Sequence, residues 1–204
     1  MSEHTPPTEQ DRQDRAIAAF WADARIRGKL NRIEVYAGQQ VSDTLPPPAW
    51  SFGADPATAD ELLELVLAGR KTATASAYRE YEQEARGRAE EELAQGDTLV
   101  RTELDLALPE PGLLAILLDG AGAPRALVRI TDVDVVRFAD VSDEHARLEG
   151  EGDGSLEHWR RVHREALAAS APHGEPVDDD TLVVLERFEV LVPAQARRAA
   201  RAHR

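Results

Sequence analysis

Residues 60–77, DELLELVLAGRKTATASA, change periodicity within one short stretch. Leu62, Leu63, Leu65, Val66 and Leu67 make a compact apolar face that predicts a helix over Asp60–Ala68, with Thr58 as its cap and Gly69 as its stop. Immediately afterwards Thr72, Thr74 and Ser76 alternate with Ala73, Ala75 and Ala77, the period of two that predicts a strand with small hydroxyls on one face. Arg70 and Lys71 are delivered at the junction between the two.

Outward from this junction the patterns segregate. Toward the N-terminus, Trp50-Ser51-Phe52-Gly53 is an aromatic segment reached through an extended Pro46-Pro47-Pro48 run, which cannot continue a helix. Arg15 to about Lys29 carries Ile17, Phe20, Trp21, Ala24 and Ile26 at helical spacing, and residues 1–14 read as a disordered tail. Toward the C-terminus, Tyr78 to about Gln95 is charged and helix-prone, a solvated excursion. Leu113–Leu118 and Ala126–Val136, joined through Gly120-Ala121-Gly122, predict a hairpin. Val141–Leu148 and Ser155–Ala169 predict helices around the glycine-rich loop 149–154, Thr181–Val192 a closing strand, and an arginine-rich tail ends the chain. The organisation expected is a tail over 1–14, a helix and extended linker over 15–49, an α+β domain over 50–192 and a basic tail over 193–204.

With 204 residues the chain suits one core with extensions. Its formal charge of -14, from 24 basic and 38 acidic residues, argues against a protein that coats long duplex nucleic acid, whose affinity comes from neutralising phosphates. Cysteine is absent, so no disulfide or thiolate metal site forms. The first residues lack an apolar targeting core and no stretch approaches a membrane span, so a cytoplasmic setting without membrane partners is the expectation. Only Lys29 and Lys71 are lysines, in a chain that otherwise uses arginine for positive charge.

Several chemical motifs fail. Arg70 stands where a P-loop has glycine directly before its lysine. The Glu149-x-Glu151-x-Asp153-Gly154 string opens like an EF-hand loop, but Arg160 occupies its twelfth position, where calcium requires a carboxylate. His158 and His163 are about 140° apart around a helix axis and do not share a face as a zinc pair would. No metal or other cofactor is expected.

Gly69-Arg70-Lys71-Thr72-Ala73-Thr74-Ala75-Ser76, together with His145-Ala146-Arg147-Leu148-Glu149-Gly150-Glu151-Gly152-Asp153-Gly154-Ser155-Leu156 and Trp159, closely resembles the signature of the ASCH family of the PUA-like superfamily. The likeness spans roughly Trp50 to Leu191, including Glu186-Arg187-Phe188. It implies a small mixed PUA-like β-barrel flanked by helices, with a cleft for a nucleoside or a short single-stranded RNA. One group of the family hydrolyses N-acetylated cytidine with a Lys, a Thr three residues on and a Glu, which correspond to Lys71, Thr74 and Glu149. Other members are linked to RNA binding or RNA cleavage, so a non-catalytic RNA or nucleotide module and a ribonuclease are the alternatives.

The chemistry is coherent at those positions. A Thr hydroxyl needs a neighbouring base, a desolvated Lys can act as one, and a Glu can supply the proton that the departing amine requires. The plain alternatives are a lysine at a helix C-terminus and a carboxylate that holds its loop. Trp50 and Phe52 suit base stacking, with core packing the competing role for Phe52 and for Trp159. Gly53, Arg70, Ser76, Glu151, Asp153 and Ser155 complete the candidate ligand-binding set, Ser155 doubling as a helix cap.

Overall fold

The structure, a computed structural model, describes residues 8–30, 45–94, 106–171 and 175–203, without the side chains of 92 and 93. Six α-helices and five strands lie among them: α1 (Glu9–Arg27), β1 (Ala49–Trp50), α2 (Pro56–Leu67), β2 (Ala73–Ala77), α3 (Tyr78–Ala94), β3 (Leu114–Leu118), β4 (Pro124–Arg137), α4 (Asp143–Glu149), α5 (Leu156–Ala169), β5 (Leu182–Val192) and α6 (Ala194–Ala202). The strands form an open mixed sheet in the order β1-β3-β4-β5-β2. The α+β class thus stands, and the strands are ordered as an open five-stranded sheet. Where the length suggested one core, the chain divides into two compact units that interleave along the sequence.

One unit comprises Met1–Thr72, Gly112–Arg129 and Phe188–Arg204. β1 runs parallel to β3 (Ala49↔Ile116), and β3 pairs antiparallel with β4 through a turn at Asp119, whose carboxylate accepts from the amides of Ala121 and Ala123. Trp21 and Ala24 of α1 pack with Ile116, Leu118, Leu127, Leu191 and Val192. Helix α1 begins at Glu9, so the segment expected to be disordered up to residue 14 is helical from there. Thr8 and Asp11 form a reciprocal capping box, a local signal that the polar composition of the tail obscured. Residues 1–7 and most of the expected linker, 31–44, lie outside the described residues.

Helix α2 is capped by Asp55 rather than Thr58. The Asp55 carboxylate accepts from the amides of Ala57 and Thr58 and from the Thr58 hydroxyl, and Pro56 occupies the first turn, where its missing N–H costs nothing. The basic tail expected to fray instead forms α6, with Ala196 and Ala200 buried and the helix packed on α2. Gly69 makes this approach possible. Its φ of 75° is left-handed, and a Cβ there would lie 2.2 Å from the Ala200 nitrogen.

The other unit comprises Ala73–Pro111 and Ile130–Arg187. β2 pairs antiparallel with β5 in the register Thr74↔Glu186, Ala75↔Leu185 and Ser76↔Val184. Ala77, Phe138, Val141, Ala146, Trp159, Leu167, Val177, Val183 and Leu185 make its core, with Ala75 packed against it. The alanines of the Thr/Ala alternation therefore face the core, and the hydroxyls take the other face of the strand. The first turn of α3 is held by Arg79 donating to the Leu167 carbonyl and by Ser170 donating to Glu80 (2.7 Å), so the expected excursion is anchored at its start.

Candidate functional site

Lys71 follows the stop of α2. The amides of Arg70 and Lys71 both donate to the Leu65 carbonyl (2.9 and 3.1 Å), which turns the chain from helix into strand. The Lys71 side chain is 1 % exposed, and its Nζ lies 5.3 Å from the centre of the Phe52 ring. Phe52 is itself buried and meets the half-buried Trp50 edge-on at 4.8 Å. Gly53, with φ 68°, lets the chain pass Thr58, whose Cγ2 would lie 2.5 Å from an added Cβ, so its conformation serves the start of α2. Arg70 is exposed.

In the other unit, Glu149 ends α4 and is fully buried. Its Oε1 accepts from Trp159 Nε1 at 2.7 Å and lies 3.2 Å from His145 Nε2 and 3.4 Å from His163 Nε2. His163 stacks on Trp159 with centroids 4.1 Å apart, and its Nδ1 donates to the Trp159 carbonyl at 3.1 Å. One carboxylate oxygen thus gathers three aromatic rings from α4 and α5. A buried carboxylate requires such donors, because desolvation of a charge is otherwise prohibitive.

Neither histidine was among the candidate site residues read from sequence. The signal was present: His145 and Glu149, and Trp159 and His163, are each spaced i, i+4 and so share a helix face. Comparing His158 with His163 tested the wrong pair. Glu151, half-buried, completes a group in which Glu149, Glu151 and His163 each offer a ligand atom within 4.8 Å of the others, the composition of a divalent-metal site where no cofactor was expected.

Asp153 and Ser155 serve the next turn. Asp153 accepts from the Ser155 amide, the Ser155 hydroxyl first and that amide second hold its carboxyl below the usual range, and Ser155 caps α5 by accepting from the His158 amide. Both line an open hollow over α5 with His158, Arg160, Arg161 and Arg164, and none of Lys71, Thr74 or Glu149 lines that hollow. Trp159, expected to choose between ligand and core, packs in the core and donates to Glu149.

On β2, Thr74 and Ser76 share a face, and Ser76 Oγ lies 3.1 Å from Tyr81 Oη of α3. Burial pushes the Tyr81 phenol up to about 12, despite the Ser76 hydrogen bond. Glu186, 9 % exposed and opposite Thr74, is raised above the usual glutamate range by burial, an effect its hydrogen bond from Tyr81 offsets in part. Tyr81 and Glu186 were also passed over in sequence, because only strand register and burial bring them to Thr74 and Ser76.

A stability test follows. With its folded value raised, Glu186 holds a proton at pH values where the unfolded chain has lost it, so stability falls as pH climbs from the usual glutamate range through the raised value. Glu186→Gln keeps an acceptor for Tyr81 and removes that slope. Its melting temperature should exceed that of the wild type at about pH 7, and the gap should close on acidification below the usual glutamate range. A gap independent of pH would contradict the assignment.

The open mixed sheet flanked by helices defines an α+β protein that carries buried ionisable side chains. The ASCH domain model matches residues 48–100 and 98–192, and the chain belongs to that family. A solved structure from Enterococcus faecalis V583, placed in the DUF984 family, is 27% identical with a TM-score of 0.64, covering 86% of this chain and 88% of that one. An ASCH domain from Lactobacillus crispatus JV V101 is 28% identical with a TM-score of 0.58, over 81% of this chain and 94% of its own. No curated protein matches the chain. No helix among the described residues is long and apolar enough to cross a membrane.

Proposed function

We propose that this ASCH protein binds a nucleoside or short single-stranded RNA, and that it is a metal-independent hydrolase of an N-acylated, cytidine-type nucleoside. Thr74 is the nucleophile, Lys71 the base that takes its proton, and Glu149 the carboxylate that accepts from and orients the substrate's nitrogen. The observation that carries the reading is the burial of Lys71 at 1 % exposure, in a chain that uses arginine nearly everywhere else. A lysine can give up its proton when desolvated and a guanidinium cannot, so a buried lysine among arginines supports a role in proton transfer. A PUA-like closure of the sheet and a cytoplasmic setting belong to the same proposal.

The role proposed for Glu149 differs from the proton donor that the chemistry of the three residue types suggested. Its Oε1 already accepts from Trp159 Nε1, which can only donate, so this oxygen works as an acceptor. The same ring cluster favours the second reading, a binding module in which Glu149 is structural.

Acetate release from N4-acetylcytidine separates the two. The wild type should turn over. Lys71→Ala, Thr74→Ala and the double variant should fall to one shared residual rate at least ~10²-fold lower, and Lys71→Arg should fail almost as badly. No acetate from the wild type, or full activity in Lys71→Arg, would leave the binding module as the better account. Activity should survive a chelator; loss on chelation would reassign Glu149, Glu151 and His163 as metal ligands.

A further inference from the structure

The hydrolase reading leaves one proton unassigned. When the C–N bond of an amide breaks, the departing nitrogen must be protonated, and Glu149 is engaged as an acceptor. We propose that Glu186 is the general acid of this reaction, donating its proton to the leaving nitrogen of a substrate whose acyl group is attacked by Thr74. The inference rests on the hydrolase reading and adds to it a residue with no part in the triad.

The geometry comes from the register. Thr74 and Glu186 are directly opposed on β2 and β5, so their side chains leave the same face with Cβ atoms about 4.5–5.5 Å apart. Leu185 and Val183 of β5, one and three residues before Glu186, point the other way into the apolar core. Glu186 is therefore a buried acid that contributes nothing to that core. The groups facing it are the Thr74 and Ser76 hydroxyls on β2 and the Tyr81 phenol from α3, with Glu80 and Glu84 acting on Tyr81 from the same helix. Burial raises the Glu186 carboxyl above the usual glutamate range, and the hydrogen bond donated by Tyr81, which retains its own proton well above neutral pH, offsets that only in part, so the carboxyl is protonated more readily than an exposed glutamate. A buried carboxyl raised in this way, set opposite Thr74, is suited to general-acid work.

The acylation step balances. The Thr74 Oγ1–carbon bond forms as the carbon–nitrogen bond breaks. The Thr74 proton passes to Lys71, the Glu186 proton passes to the leaving nitrogen, and the acyl group remains on Thr74 as an ester, with Lys71 positive and Glu186 negative.

The test uses two leaving groups. An amide nitrogen needs a proton, whereas the nitrophenolate of 4-nitrophenyl acetate departs without one. Glu186→Gln should lose ~10²–10⁴-fold with N4-acetylcytidine yet retain a nearly unchanged burst of nitrophenolate, while Thr74→Ala should fail on both substrates. Equal losses on the two substrates would make Glu186 structural, and an undiminished amide rate would dismiss it; either result overturns the proposal and leaves the triad standing. A wild type that releases nothing from the amide overturns the hydrolase reading itself, and Glu186 with it. Misfolding is separable, since Glu186→Gln is expected to be the more stable protein near neutral pH.

Discussion

Glu149→Ala is expected to lower the melting temperature by on the order of 10 °C, the largest loss from any single polar side chain among the described residues. Removing the carboxylate strands the Trp159 indole N–H and leaves His145 and His163 facing a void in a fully buried site. Breaking a buried charge-assisted cluster by deleting one member costs about 3–5 kcal/mol, and in a chain of this length each kcal/mol moves the midpoint by roughly 2–4 °C. Glu149→Gln should lose much less, because its amide oxygen still accepts from Trp159. The contrast also protects the functional test: Glu149→Gln should stay folded and slow the hydrolysis, whereas Glu149→Ala confounds the two. Thermal unfolding followed by tryptophan fluorescence reads the result directly. A midpoint for Glu149→Ala within about 2 °C of wild type would show that the rings hold together without their acceptor.

Gly69→Ala is expected to be comparably severe for a different reason. The left-handed backbone at φ 75° costs a residue with a Cβ about 1–2 kcal/mol, and the methyl would collide with the Ala199–Ala200 backbone of α6 at 2.2–2.7 Å, adding about 1–3 kcal/mol of overpacking. Backbone cannot swing aside as a long side chain does, so α6 must shift from α2. The melting temperature should fall by about 5–15 °C. A chain ended at Pro193 separates the two causes: there the steric part vanishes and Gly69→Ala should cost only the conformational part. The two changes must therefore be non-additive. Equal losses in the full and shortened chains would mean that α6 does not rest on Gly69.

Elements decided by neighbouring residues were legible. The end of the helix that stops at Gly69 and the strand of alternating Thr and Ala emerged within a residue or two of their observed bounds, because apolar spacing and glycine conformations act over a single turn, whereas the start of that helix was placed four residues late, at Asp60 instead of Pro56. The hairpin around Asp119 and the Ser155 cap were equally local. Helix α1 shows the limit of reading by composition. Its capping box spans only Thr8 to Asp11, yet the polar first turns bury almost nothing and so looked like a tail. Helix α6 failed for the opposite reason: its buried stripe is only Ala196 and Ala200, too little apolar surface to announce a helix until α2 and Gly69 supply the facing surface.

In the candidate site, residue types were visible and their partners were not. A lysine among arginines and a glutamate before a glycine-rich loop could be singled out from the chain, since scarcity and local spacing are properties of sequence. That Lys71 is buried against Phe52, that Glu149 is enclosed by His145, Trp159 and His163, and that Glu186 stands opposite Thr74 was decided by tertiary structure alone. Burial and strand register depend on segments that lie far apart along the chain, and a charge or hydrogen bond acquires its strength only from the groups that folding brings around it.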